Sequence, residues 1–208
     1  MNILKSIALA LCILAVTDVS AKKKSTDSSY DNSVVETIMS RRSVRKYKDT
    51  PVSRDLLRKV VECGVNCPNG MNQQPWQVRI VDSKDYIDGL TAIFREANPR
   101  MASDPSFKNM FRNAPAVIFI ASPSDGSGQI DCGLMGENII LAAKSYGLGT
   151  CCLGGPIAFM KSNADAKPYL DRLNISEGYT LLYAIGIGYP DEMPDAKPRD
   201  LSKIEFVK

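Results

Sequence analysis

Residues 67–76 read Cys67-Pro68-Asn69-Gly70-Met71-Asn72-Gln73-Gln74-Pro75-Trp76. Two prolines, a glycine, two asparagines, two glutamines and the only tryptophan share these ten positions. Proline and glycine stop a helix, and Asn and Gly supply turn geometry. The side-chain amides add donors and acceptors without charge. A plain turn does not need so many. The stretch is expected to line the flat, polar, uncharged face of a ligand, with the rest of the chain holding it there.

Outward from this loop the pattern is regular. Upstream, Ser53 opens a helix with Leu56, Leu57, Val60, Val61 and Val65 on one face and charges opposite. Downstream, Gln77–Asp82 reads as a strand and Lys84–Arg95 as an amphipathic helix. Asn98 to Phe107 reads as a loop with two prolines. Ala116–Ala121 is apolar throughout and bounded by prolines, as in a central strand. Ile130–Tyr146 is the longest helical pattern, with apolar residues pointing in every direction, so it is expected to be buried on all sides. Thr150–Leu153 is a short strand leading to Gly154-Gly155-Pro156, and Ile157–Leu173 holds one or two short helices. Tyr179–Ile187 is a second apolar strand, and Ile204–Val207 is expected to form an edge strand. Near the start, Ser33 is expected to cap a helix carrying Val34, Val35, Ile38 and Met39. Helices and strands alternate without a clean βαβ rhythm, which implies an α+β layer fold.

The 208 residues suit one domain over 33–208 behind a polar linker at 22–32. Residues 1–21 read as a secretory signal: Lys5, an apolar run from Ile7 to Thr17, then the small-residue site Val19-Ser20-Ala21. Export with cleavage is the expectation, leaving no stable membrane span. The alternative is an uncleaved membrane tether, which Lys22, Lys23 and Lys24 would favour. Six cysteines show no disulfide spacing and read as buried apolar residues. The chain has no histidine, which excludes Ser-His-Asp and Cys-His catalysis and argues against a metal site. A net charge of +3 gives no case for nucleic acid. Any chemistry is expected to belong to a bound cofactor.

Arg41-Arg42-Ser43-Val44-Arg45 gathers three arginines and a serine hydroxyl at a helix end. Such forks match phosphate oxygens, although the same run also suits a solvated basic surface. Lys197 and Arg199 form a second basic pair. Gly154 and Gly155 lack a Cβ, so their backbone can approach a planar ring, or can simply turn tightly. No Rossmann or P-loop glycine pattern is present. One phosphate plus one heteroaromatic ring, as in FMN, fits the two basic clusters, the amides of Pro68–Gln74 and the glycine pair together.

These motifs resemble the nitroreductase family. Arg41–Tyr47 is similar to the family's Arg-Arg-Ser-x-Arg-x-Phe start. Pro68–Trp76 resembles its Pro-Ser-x-x-Asn-x-Gln-Pro-Trp loop, with Asn69 in place of the usual serine. Asn138–Ala143 through Gly147–Thr150, then Gly186–Pro190 and Lys197-Pro198-Arg199, match its later signatures in order. The resemblance spans residues 33–207. It implies an FMN-dependent α+β fold, a mixed or antiparallel sheet flanked by helices, in an intertwined homodimer with FMN at the subunit interface. Arg41, Ser43 and Arg45, with Arg42 nearby, would meet the FMN phosphate and ribityl side, and Lys197 and Arg199 would complete the clamp. Pro68, Asn69, Gly70 and Asn72, with Gln74, would reach the flavin of the other subunit, and the backbone at Gly154 and Gly155 would address its N5 edge. The implied activity is ping-pong hydride transfer from NADH or NADPH to a small acceptor such as a nitroaromatic or quinone, with no protein acid–base residue. Segments Asn98–Phe107 or Ile157–Leu173 would select the acceptor. The alternatives are an exported flavoprotein with a non-nicotinamide donor and a non-catalytic flavin-binding protein.

Overall fold

A computed structural model describes residues 32–208. The expected signal at 1–21 and the expected linker at 22–32, except its last residue Asn32, lie outside the described residues. The strands are β1 (Gln77–Val81), β2 (Ala116–Pro123), β3 (Gly149–Leu153) and β4 (Tyr179–Gly188). They form one antiparallel sheet in the order β1-β2-β4-β3. The helices are α1 (Ser33–Ser40), α2 (Arg54–Val65), α3 (Lys84–Ala97), α4 (Pro99–Ala102), α5 (Gln129–Ser145), α6 (Gly155–Ser162) and α7 (Lys167–Arg172).

The apolar run of β2 is explained by cover on both faces. Val117, Phe119 and Ala121 join a core with Tyr86, Ile87 and Leu90 of α3 and Ile157 and Met160 of α6. Ala116, Ile118 and Ile120 join a second core with Leu57 and Val60 of α2 and Met135 and Ile139 of α5. The pairing of β2 with β4 shifts register after Ile120, where β4 carries one extra residue. That bulge lets Leu182 and Tyr183 both pack toward the α5 side. Tyr183 donates to the Cys132 carbonyl at 2.7 Å, and a Cβ at Gly136 would collide with its ring. Glycine at 136 therefore sets how close α5 lies to the sheet.

Several expectations need correction. The cap of α1 is Asn32, whose Oδ1 accepts from Val35 N at 2.9 Å, because Asn32 is the last extended residue and caps as well as serine. Ser53 does cap α2, accepting from Leu56 N at 3.2 Å. Gly154 and Gly155 do not form a turn; Gly154 is already helical and α6 starts at Gly155. Ile204–Val207 forms no strand and is exposed, Phe206 at 98%. Alternation supplies no pairing partner, and Ser43 already bridges Thr150 on β3. Cys67, Cys132 and Cys151 are buried as expected, but Cys63 and Cys152 are exposed, and none of these five is in a disulfide. Finally, α5 is not covered on all sides within one chain: Ile130 is 81% and Leu134 42% exposed. No described helix is long and apolar enough to cross a membrane.

Candidate functional site

The site begins where residues 41–47 leave α1 in extended form. Ser43 makes a parallel bridge to Thr150, and Val44 N donates to the Thr150 carbonyl at 2.9 Å. A Cβ at Gly149 would sit 2.8 Å from Val44 Cγ2, so glycine is what lets this segment lie against β3. Further on, Tyr47 bridges Pro190, Lys48 N donates to Tyr189 O, and Asp191 N donates to Lys46 O, both at 2.9 Å. The arginine segment is therefore clamped between β3 and the chain leaving β4. Tyr47 is buried and donates to Val44 O at 2.7 Å, and burial pushes its phenol far above the ordinary range.

Two adjoining cavities flank this segment. The smaller, about 100 Å³, is lined by Arg41, Arg42, Gly147, Thr150, Glu192 and Pro194, among others. The larger, about 760 Å³, has Arg45, Phe107, Arg112, Gly155, Glu192 and Pro194 among its lining. Glu192 and Pro194 belong to both. Glu192 accepts from Arg45 N at 2.5 Å and from Lys46 N at 3.2 Å, pinning the segment from the far side. Arg42 is committed to the backbone, donating at 2.7 Å to the Met39 and Arg41 carbonyls at the end of α1. Arg41 keeps most of its donors: its contact with Glu137 is 3.8 Å long and both groups are partly exposed. Among the described residues the Arg45 guanidinium donates only to Ser43 O, at 3.0 Å.

Gly154 and Gly155 are exposed, and a Cβ added at either would meet nothing within 4 Å. Neither has a positive φ. Packing and backbone geometry in this chain therefore do not require glycine at these positions. Both neighbouring thiols are held toward the protonated form. Burial pushes the Cys151 thiol up, with Arg45 and Arg112 opposing. Cys152 is an exposed residue, yet crowding about its sulfur pushes its thiol up too. Among the described residues no group of three or more Cys, Asp or Glu is placed to hold a metal.

The structure does not bring every expected residue to these cavities. The loop from Pro68 to Gln74 lines neither. It is held beside α5, with the Cys132 thiol 3.5 Å from Pro75 O and Gln74 N donating to Asn69 Oδ1 at 2.8 Å. Met71, Asn72 and Gln74 all take left-handed φ, at 50°, 55° and 49°. Three such residues in one short loop are strained backbone of the kind found at ligand sites. Lys197 and Arg199 are exposed and line neither cavity; Arg199 donates to the Lys197 carbonyl at 3.3 Å. In the other direction, sequence reasoning missed Glu192 and the wall formed by Lys108, Asn109, Arg112 and Asn113. Asn109 and Asn113 flanking Arg112, just before an apolar strand, were the only hint. Of the two segments expected to select the acceptor, Asn98–Phe107 lines the large cavity through Met101, Asp104, Ser106 and Phe107, and 157–173 does not.

A sequence model described as "Nitroreductase family" matches residues 38–189. An NADPH-flavin oxidoreductase of Vibrio harveyi is 27% identical over 174 residues, covering 81% of this chain and 70% of that protein. An FMN reductase [NAD(P)H] of Bacillus subtilis is 25% identical over 187 residues, with the same 81% and 70% coverage. A crystal structure of a nitroreductase with bound FMN from Desulfitobacterium hafniense superimposes with a TM-score of 0.74 at 26% identity, covering 86% of this chain and all of that one. The matched span carries the arginine segment, the β3 wall of the smaller cavity and all four strands, and with that match over most of its length the chain belongs to the nitroreductase family.

Proposed function

We propose that this protein is an FMN-dependent oxidoreductase that uses NADH or NADPH to reduce a small acceptor such as a nitroaromatic or quinone, in two half-reactions at one site. The observation that carries this reading is the clamp of residues 43–47 against β3, which places Arg45 and Gly155 on the walls of one cavity. The residues present fit FMN. Gly154 and Gly155 border open space and have no internal reason to lack a Cβ; a planar ring lying against their backbone supplies one. Arg41 and Arg45 retain donors suited to a phosphate and its sugar chain.

In this assignment Arg41, Ser43 and Arg45 hold the phosphate and ribityl side, and Lys197 and Arg199 close on the phosphate. Arg42 acts indirectly by ending α1. Bound FMN supplies the two-electron chemistry. Arg45 puts positive charge on a wall of the cavity that Gly155 also lines, and such a charge would favour the more negative, reduced form of a cofactor held there. The loop residues Pro68, Asn69, Gly70, Asn72 and Gln74 act in the site of a second copy. The exposed apolar residues Val34, Ile38 and Met39 of α1 and Ile130 and Leu134 of α5 support a homodimer. The leader-like pattern from Ile7 to Ala21 supports export, which the intact mass of protein from the native host would check. It also favours the second reading, a donor other than a nicotinamide.

The purified protein is expected to be yellow and to release FMN on denaturation. The double variant Arg41→Ala/Arg45→Ala is expected to bind FMN at least tenfold more weakly, each lost charge-assisted bond being worth roughly 1.5–3 kcal/mol. A colourless wild type that takes up no added FMN ends this reading, and unchanged affinity in the double variant ends the phosphate assignment.

A further inference from the structure

Arg112 stands out on the wall of the large cavity. Its φ is 56°, and that of Asn113 is 65°. Glycine would adopt this conformation without strain, so an arginine there is a costly choice unless its side chain is used. The turn is locked by side-chain amides. Asn113 Oδ1 accepts from Lys108 N at 2.8 Å and from Asn109 N at 3.1 Å, and its Nδ2 donates to Ser106 O at 2.9 Å. Asn109 donates to Ala114 O at 3.1 Å and accepts from Phe111 N at 2.9 Å. So the position of Arg112 is fixed by a network built for it.

The other charges of the cavity are mostly spoken for. Lys108 pairs with Asp49 at 3.0 Å, Asp104 accepts from Ser106, and Glu192 accepts from the amides of Arg45 and Lys46. Arg112 is exposed and makes no ion pair or side-chain hydrogen bond with any described residue. Phe94 and Phe107 line the same cavity, with ring centroids 5.8 Å apart at 28°, and the Arg95 guanidinium lies 5.2 Å over the Phe107 ring. Gly155 and Arg45 complete the enclosure.

We propose that Arg112 recognises an anionic group on the molecule reduced in this cavity, and that the preferred acceptor is an aromatic ring bearing a carboxylate or a similar anion. The inference rests on the oxidoreductase reading and deepens it. A bidentate guanidinium–carboxylate contact fixes both affinity and orientation, and Phe94 and Phe107 add apolar surface to the same cavity for the ring. Asp191 also lines the cavity and would favour the opposite charge, so the two carry competing expectations.

The test uses the FMN-loaded protein with three acceptors of one shape: 4-nitrobenzoate, 4-nitrobenzyl alcohol and a 4-nitrobenzyl trimethylammonium salt. Wild type is expected to prefer the anion. Arg112→Gln is expected to lower the anionic-to-neutral ratio of kcat/KM about tenfold, mainly through KM, and Arg112→Lys to restore part of it. Arg112→Gly relieves the backbone strain, so it is expected to fold at least as stably and still lose the preference. An unchanged ratio in the Gln and Gly variants overturns the proposal, as does a wild type that prefers the cation. Loss of bound FMN from both variants also overturns it, because Arg112 would then serve the cofactor. A wild type that retains no flavin and reduces none of the three acceptors defeats the underlying reading, and this inference with it.

Discussion

Cys132 shows how much one buried side chain can be made to say. It lies wholly inside the α5 core, and burial pushes its thiol up to about 11. An unfolded chain releases that proton near pH 9, while the folded chain keeps it. The contribution is fully present below about pH 9 and is lost as pH rises toward about 11, amounting to about 2 kcal/mol over that window. Cys67 and Cys151 shift in the same direction. Denaturant melts across this range are expected to show falling stability, with a smaller fall in Cys132→Ala. A flat or rising profile would contradict the assignment. At the other extreme, the Arg54–Asp82 pair is short, but Arg54 is largely exposed, so it adds little to the fold. Which residues matter is decided by burial and by unmet partners, and on those grounds Tyr47, Arg41, Arg45 and Arg112 stand apart.

Among the elements, the extended segment 43–47 is the one on which the site depends. Its contact with β3 exists because Gly149 offers no side chain to Val44. Gly149→Val is therefore expected to displace the segment and weaken FMN binding by tenfold or more in a flavin-fluorescence titration, while far-UV circular dichroism stays close to wild type. Retained affinity would mean the segment is held from the Pro190 side alone. The elements most legible in the sequence were those with a single local cause. Ala116–Ala121 read as a central strand because both of its faces need apolar cover, and Ser53 read as a cap because its hydroxyl serves Leu56 three residues on. What did not read correctly depends on distant partners. Ile204–Val207 alternates like a strand but has no edge to join, because Ser43 already bridges Thr150 on β3. In the site, Arg41–Tyr47 was legible from its clustered arginines, whereas Arg112 and Glu192 reach the cavity only through the turn before β2 and the chain after β4. No local pattern announces either.

At the scale of the whole molecule, the proposed homodimer bears on two features of the single copy. The strained loop from Pro68 to Gln74 lines neither of the two cavities, and α1 and α5 present exposed apolar residues. A second copy that covers α5 and delivers the loop to the cavities would account for both. Ile130→Glu/Leu134→Glu places charge on that face without disturbing a buried position, since Ile130 is 81% and Leu134 42% exposed. Sedimentation is expected to show monomers, with FMN content falling in parallel. A monomer that keeps FMN at full affinity would show that each chain holds its cofactor alone. The central claim, electron transfer from a nicotinamide through bound FMN, is tested most directly by anaerobic mixing. The yellow protein is expected to lose its visible flavin absorption with NADH or NADPH and to recover it when a nitroaromatic or quinone is added. A flavin that stays oxidised with both nicotinamides would contradict the account.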